Sequence, residues 1–409
     1  MSDFMRDEEL DALVRQLNRG TPGPTASGDA VADEASGAPP ALARSEVAPG
    51  DALEKVLTLV VRREASDVLL VSGAPPVLRV AGRLAPVDAA PLDEEEIRAI
   101  LAPHVPAQAW RALQENGSAD LSLRVGPQGE GAPRGAFRFR VNLHRQRGQL
   151  AAAIRVLPRA IPTLAGLALP ASLADLVKPA RGLVLVCGPT GAGKTSTLAA
   201  LVGEINRARS CHVLTIEEPV EYEHPNVRAI VEQVEVGADA PSFAAALKAA
   251  LRQDPDVLLV GEMRDLETIA IALTAAETGH LVLSTLHTAD AAQAIHRIVD
   301  VFPAAQQAQI RQQLALALTA VVSQQLVPTA DGHSRVPAVE LLLVNPAIRQ
   351  HIRRDRVESF RNEITLGKRA GMIALEESLA RLVRAGTITL EEAQIRANHP
   401  DELESLLRA

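Results

Sequence analysis

The sequence predicts an α/β chain with two domains in series. Three observations carry this. From residue 182 onward, apolar runs alternate with helical patterns, as in a parallel sheet with helices on both faces. Residues 51–160 instead hold several strands and a few helices, the pattern of a compact α+β domain. The first apolar run of the second domain, GLVLVC at 182–187, leads straight into a glycine-rich loop and then a helix.

Residues 2–19 form a short helical pattern with Leu10, Leu13, Val14 and Leu17 on one face, and 20–50 is a Pro-, Gly-, Ala- and Ser-rich flexible linker. The pattern fits either an amphipathic helix that docks on a partner or a dispensable tail. Order resumes with a helix at 52–63, strands at 67–72 and 77–81 split by the Pro75-Pro76 turn, and helices at 92–101 and 107–116. Strands follow at 120–125, 136–144 and 150–156. In the second of these, Phe137, Phe139 and Val141 alternate with Arg138, Arg140 and Asn142. With Arg147 and Arg155, these arginines read either as a solvated face or together as a cation source for a neighbour's triphosphate.

Residues 161–181 carry Pro162, Pro170 and Pro179 and read as an interdomain linker. Beyond it, strands are expected at 183–187, 212–216, 257–260 and 281–285, with helices at 195–206, 242–252 and 265–277. After Asp300 the chain reads as mostly helical, ending in helices at 374–385, 389–397 and 400–409.

The chemistry gathers at the carboxyl ends of the second domain's strands, where such sheets bind ligands. Gly188-Pro189-Thr190-Gly191-Ala192-Gly193-Lys194-Thr195 has the spacing of a phosphate-binding loop. Its glycines let backbone N–H groups converge on phosphate oxygens, and the helix that Ser196 continues adds a favourable partial charge. Lys194 reaches the β- and γ-phosphates, and the Thr195 hydroxyl completes a Mg²⁺ shell that keeps several waters. The whole stretch from Gly188 to Ser196 is therefore expected to cradle ATP. About 70 residues on, the apolar strand 257–260 ends in Glu262, an acid placed to hold Mg²⁺ beside that loop. Glu217, Glu218 and Glu221 end another strand, and three acids in five residues call for a compensating cation. His280 and His287 bracket a strand; seven residues apart, they stand about 23 Å from each other and cannot share a metal.

Composition bounds the alternatives. A formal net charge of −8 and few aromatics argue against a nucleic-acid motor. The two cysteines, Cys187 and Cys211, lie in apolar runs and read as buried thiols, which suits a reducing cytoplasm. No apolar run is long enough to span a bilayer, and the N-terminus has no apolar signal segment.

Together the motifs resemble those of a secretion-superfamily ATPase of the type IV pilus retraction, PilT-like group. The resemblance covers 51–409 and rests on GPTGAGKT, TIEEPVEY, DPDVLLVGEMRDLETI, TAAETGHLVLSTLHT, RIVDVFP, NPAIRQHIR and GMIALEESLARLV. It implies a PAS-like N-terminal domain at 51–160 and a RecA-like P-loop ATPase domain with a helical C-terminal region at 182–409. It further implies a homohexameric motor that is cytoplasmic, docked peripherally on an inner-membrane pilus platform protein, and able to work beside other pilus motor ATPases. Glu262 becomes the Walker B acid, Glu221 the residue that activates water, and His280 and His287 the histidine-box pair, with His287 catalytic. Arg138, Arg140, Arg147 and Arg155 match a stretch that in the family faces the nucleotide across domains or subunits. Ala347-Ile348-Arg349 begins a motif tied in the family to retraction. Two positions depart from the family: Glu218 stands where Asp is usual, and Val234 where Arg is frequent. Assembly and type II secretion motors of the superfamily usually carry a four-cysteine zinc insertion, and the stretch after His287 has no cysteine, which favours the retraction branch. The alternatives are a pilus assembly or type II secretion motor and an accessory paralogue with little ATPase activity of its own.

Overall fold

The strands of the first domain pair into one six-stranded sheet. A computed structural model describes residues 49–80, 82–126 and 137–408; the expected helix at 2–19 and all but the end of the 20–50 linker lie outside the described residues. The chain divides between Arg159 and Ala160 into two units. In the first, α1 (Pro49–Arg62), α2 (Glu94–Leu101) and α3 (Ala107–Asn116) accompany β1 (Asp67–Val71), β2 (Val77–Val80), β3 (Arg83–Pro86), β4 (Ser118–Val125), β5 (Phe137–Gln146) and β6 (Gln149–Val156). The sheet order is β3-β2-β1-β6-β5-β4, antiparallel throughout. On β5, Phe137, Phe139, Val141 and Leu143 point into a core shared with Leu53, Leu57, Val60 and Leu113. Helix α2 starts at a capping box, with Asp93 and Glu96 each accepting the other's backbone N–H at 2.8 Å. The short strand β3 was not expected: it is an exposed edge, without the apolar alternation that would mark it.

The second unit holds β7 (Gly182–Cys187), α4 (Lys194–Ala208), β8 (His212–Glu217), β9 (Ile230–Glu235), α5 (Phe243–Ala250), β10 (Val257–Val260), α6 (Leu266–Glu277), β11 (Leu281–Leu286) and α7 (Ala291–Asp300). It continues with α8 (Ala304–Ala317), β12 (Leu318–Pro328), β13 (Arg335–Leu343), α9 (Pro346–Arg353), α10 (Phe360–Leu366), α11 (Leu375–Arg384), α12 (Leu390–Arg396) and α13 (Pro400–Arg408). The sheet runs β13-β12-β7-β11-β10-β8-β9, with six parallel strands and β13 antiparallel at one edge. Strand β7 is buried along its whole length and feeds both faces. Leu183, Leu185 and Cys187 face the core under α5, α6, α7 and α8, whereas Val184 and Val186 face α4.

One expectation is extended and one corrected. The region after Asp300 is mostly helical as expected, in α8 to α13, but it also holds the long hairpin of β12 and β13, which the sequence does not mark, and β12 pairs in parallel with β7. A continuous apolar run such as LTAVV has no period that separates a strand from a buried helix, and only the remote pairing decides it. Residues 161–181, expected as an interdomain linker, are part of the second unit's core. Leu164, Leu169, Leu173, Leu176 and Val177, partly in a 3₁₀ turn at Ala171–Val177, pack against Leu198, Leu201 and Ile205 of α4. Their prolines shape the path of a segment whose leucines are core.

A buried polar row crosses the sheet beside the loop. Cys187 on β7 is opposite Ser323 on β12, which is opposite Glu340 on β13. Glu340 accepts from the Ala291 N–H at 3.3 Å. Burial, reinforced by the charges of Asp290 and Glu376, pushes its carboxyl up to about 7, and burial pushes the Cys187 thiol up to about 12. Native Glu340 therefore holds a proton that the unfolded chain releases near pH 4.5. Stability contributed by this group is full below that pH and is lost as pH rises through about 7, by up to about 3 kcal/mol. Denaturant unfolding at pH 5 and pH 8 should show the wild type losing more stability than Glu340→Gln across that interval. Equal pH slopes in the two proteins would remove Glu340 as the source.

Candidate nucleotide site

The phosphate loop is shaped by three glycines with positive φ: Gly188 at 145°, Gly191 at 80° and Gly193 at 86°. Gly193 is the N-cap of α4, so the loop's curl delivers directly into the helix N-terminus. Lys194 turns back into the loop, its ammonium donating to the Gly188 carbonyl at 2.8 Å and the Pro189 carbonyl at 3.0 Å. The residue is only 8% exposed. Burial lowers its pKa, and the nearby Cys187 and Glu262 oppose that shift.

The acid and the histidine arrive from neighbouring strands. β10 lies two strands from β7, with β11 between them. Glu262 follows β10, and His287 follows β11. The His287 Nε2 is 3.5 Å from Glu262 Oε2, and its Nδ1 is 3.5 Å from both Lys194 Nζ and Thr190 Oγ1. Burial and the cations Lys194 and Arg264 lower the His287 pKa, so the imidazole is neutral at pH 7. An ammonium can only donate, so Nδ1 accepts from Lys194 and the proton resides on Nε2, facing Glu262. The other Glu262 oxygen pairs with Arg264 Nε at 2.5 Å. Sequence reasoning had passed over Arg264, although its place two residues after the strand-end acid was a usable signal.

The acidic box divides. Glu217 is turned into the β8–β9 pair, accepting from Thr215 Oγ1 at 2.7 Å and Gln233 Nε2 at 3.2 Å. Burial raises its pKa. Glu218 is exposed. Glu221 is next to Tyr222, whose hydroxyl meets Ser196 Oγ at 2.8 Å, so the box is tied to the first turn of α4, where Thr195 also stands. Val234, where the family often has Arg, packs instead against the core of the second unit.

The remaining expected residues are each placed within their own unit. His280 is corrected as a nucleotide contact: it precedes β11 at the sheet's opposite end, its Nδ1 3.1 Å from the Ala275 carbonyl and its own carbonyl accepting from the Gly182 N–H. A six-residue strand separates it from His287. The four arginines belong to the first unit. Arg155 pairs with Asp67 at 2.8 Å, Arg140 with Asp120 at 3.5 Å, Arg138 is opposite Arg124, and Arg147 occupies the β5–β6 turn at φ 51°. Arg349 clasps the end of α8, donating to the carbonyls of Ala315 at 2.7 Å and Leu316 at 2.9 Å.

One residue that shapes the loop was missed altogether. Gln324 of β12 donates from Nε2 to the Ala192 carbonyl at 2.6 Å and accepts from Thr197 Oγ1 at 2.7 Å. Its only signal was a Ser323-Gln324-Gln325 triplet inside an otherwise apolar run.

A phosphate-shaped loop, a strand-end acid and a neutral histidine facing both suit cleavage of a nucleoside triphosphate. Comparison with known proteins agrees. The profile of the family described as "Type II/IV secretion system protein" matches residues 151–402. The twitching motility protein of Neisseria gonorrhoeae is 41% identical over 328 residues, 80% of this chain and 86% of that protein. The type IV pilus retraction ATPase PilT of Pseudomonas aeruginosa is 40% identical over 349 residues, 85% of this chain and 99% of that one. A crystal structure of the pilus retraction motor PilT with bound ADP superposes with a TM-score of 0.77 at 42% identity, covering 86% of this chain and 98% of that one. No helix among the described residues is long and apolar enough to cross a membrane. With the family profile over 151–402 and about 40% identity to relatives over most of its length, this chain belongs to the type II/IV secretion system protein family of ATPases.

Proposed function

We propose that this chain is an ATP-hydrolysing motor, assembled as a homohexamer, that drives type IV pilus retraction and so twitching motility. The observation that supports it most is the Lys194–His287–Glu262 chain of contacts, which joins the phosphate loop to the acid beside it. Lys194, now held by two loop carbonyls, turns to the phosphates as the nucleotide enters. The loop's N–H groups and the start of α4 take the phosphate charge. Glu221 orients the attacking water, and His287 reports the γ-phosphate through its two faces. Thr195 and Glu262 offer hard oxygen donors that fit Mg²⁺ alongside phosphates and waters. Held by these residues, Mg²⁺ would supply positive charge against the phosphates during transfer. Arg138, Arg140, Arg147 and Arg155 are the candidates for the cation a neighbouring subunit lends. The ring then works on an inner-membrane platform protein from the cytoplasmic side, alone or beside another pilus motor ATPase.

Steady-state hydrolysis by the purified chain, with its mass measured by light scattering, tests the enzyme. A hexamer with Mg²⁺-dependent turnover that falls about 100-fold or more in Glu221→Gln, with ADP still bound, is expected. Deletion in the source organism tests direction: retraction predicts excess surface pili without twitching, whereas loss of pili means assembly. Rings that bind ATP but barely hydrolyse it would overturn the autonomous motor in favour of an accessory paralogue.

A further inference from the structure

We infer that Gln324 is a positioning residue for nucleotide affinity, holding the phosphate loop in its binding shape from the neighbouring strand; this rests on the nucleotide-site reading above. β7 and α4 fix the loop's ends, and Lys194 and His287 meet its first half at Gly188, Pro189 and Thr190. Gln324 joins its middle to its end. One amide donates to Ala192 and accepts from Thr197, the latter one turn into α4. The residue is 5% exposed, so neither bond is exchanged cheaply for water.

Contacts on both sides reinforce the grip. A Cβ on Gly188 would lie 2.2 Å from the Gln324 carbonyl oxygen, and one on Gly193 2.9 Å from its Nε2. The loop's first and last glycines are therefore pressed against the same residue of β12. The Ala192 carbonyl can only accept, so the amide N–H₂ faces it and the amide oxygen faces the Thr197 hydroxyl, which is nearer that oxygen at 2.7 Å than the Gly193 carbonyl at 3.2 Å and donates to it. Among uncharged side chains of this length, only an amide satisfies both at once. Asn is one methylene short of spanning them, and Glu loses the donor and brings a charge beneath the phosphates. The loop's N–H groups point at phosphate only while its backbone holds this curl, so loosening it costs affinity for every phosphate-bearing ligand.

The adjacent residue supplies a control. Gln325 points to the other face of β12 and donates to the Arg396 carbonyl at 3.2 Å, at the end of α12. It shares the strand and the hydrogen-bonding chemistry but does not touch the loop.

The test uses the full-length protein. In Gln324→Met, the dissociation constant for MgADP and the KM for ATP should both rise about tenfold or more, with kcat changed less. Gln325→Met should leave both within about twofold. Thr197→Val, which keeps the shape and removes one partner, should weaken ADP binding in the same direction, and the double variant should fall short of the summed effects. Thr197→Val also carries the test if Gln324→Met fails to fold. A lower kcat with unchanged ADP affinity in Gln324→Met, or strict additivity with Thr197→Val, would overturn the inference and leave Gln324 as ordinary core. Wild-type protein that binds no ADP would overturn the nucleotide site itself, a result told apart by the unsubstituted chain alone.

Discussion

Lys194→Ala is expected to lower kcat/KM for ATP by at least about 100-fold, the scale of losing one preorganised charge at a developing anion. The ammonium is the only side-chain cation the loop itself carries, and it is already drawn into the concavity by Gly188 and Pro189. Its removal also leaves the acceptor atom of His287 without its cationic partner. Lys194→Arg should not rescue: a planar guanidinium cannot take the place of a compact ammonium held by two carbonyls at 2.8 and 3.0 Å. Thermal stability should change little, because water can reach the carbonyls that the side chain vacates. Initial rates over a range of ATP concentrations, with a melting curve for each protein, separate the two effects. Turnover within tenfold of wild type in Lys194→Ala would remove this lysine from the mechanism and the loop from the active site.

The parts of the site that could be read from sequence are those whose partners are close along the chain or whose position a strand dictates. Gly188 to Thr195 follows β7 and enters α4 without a break, so strand, loop and helix declare themselves together. Glu262 was legible because an apolar strand ends just before it, and His287 because it ends the next strand. What sequence could not supply was adjacency across the sheet. Gln324 is 132 residues from Ala192, and nothing local shows that β12 lies against β7. With no strand marked in that stretch, the amide was hidden twice, once as a strand residue and once as a neighbour of the loop. His280 failed for the complementary reason. It shares a motif with His287, but a parallel strand carries its two ends to opposite edges of the sheet, and ligands collect at only one. The leucines of 161–181 were masked by their prolines, which mark turns whether the segment is a tether or part of a core.

Gly188→Ala should damage the protein more deeply than any other single methyl group added to the loop. At φ 145° an L-residue is already strained, and its Cβ would lie 2.2 Å from the backbone oxygen of Gln324 and 3.0 Å from the Ala192 Cβ. The first of these neighbours is main chain in a strand paired on both sides, so it cannot rotate away. Relief requires β7 and β12 to part or the loop to unwind, and either breaks the curl that phosphate needs. A cost of about 2–4 kcal/mol in stability is expected, together with loss of measurable ADP binding. Gly191→Ala provides the contrast. Its φ of 80° carries a similar conformational penalty, but no atom lies within 4 Å of the added methyl. It should cost about 1 kcal/mol and weaken ADP binding only modestly. Urea unfolding and ADP titration of the two variants side by side read the difference. If Gly188→Ala binds ADP as Gly191→Ala does, the contact between β12 and the loop is not what shapes the site, and strain in the turn alone governs both positions.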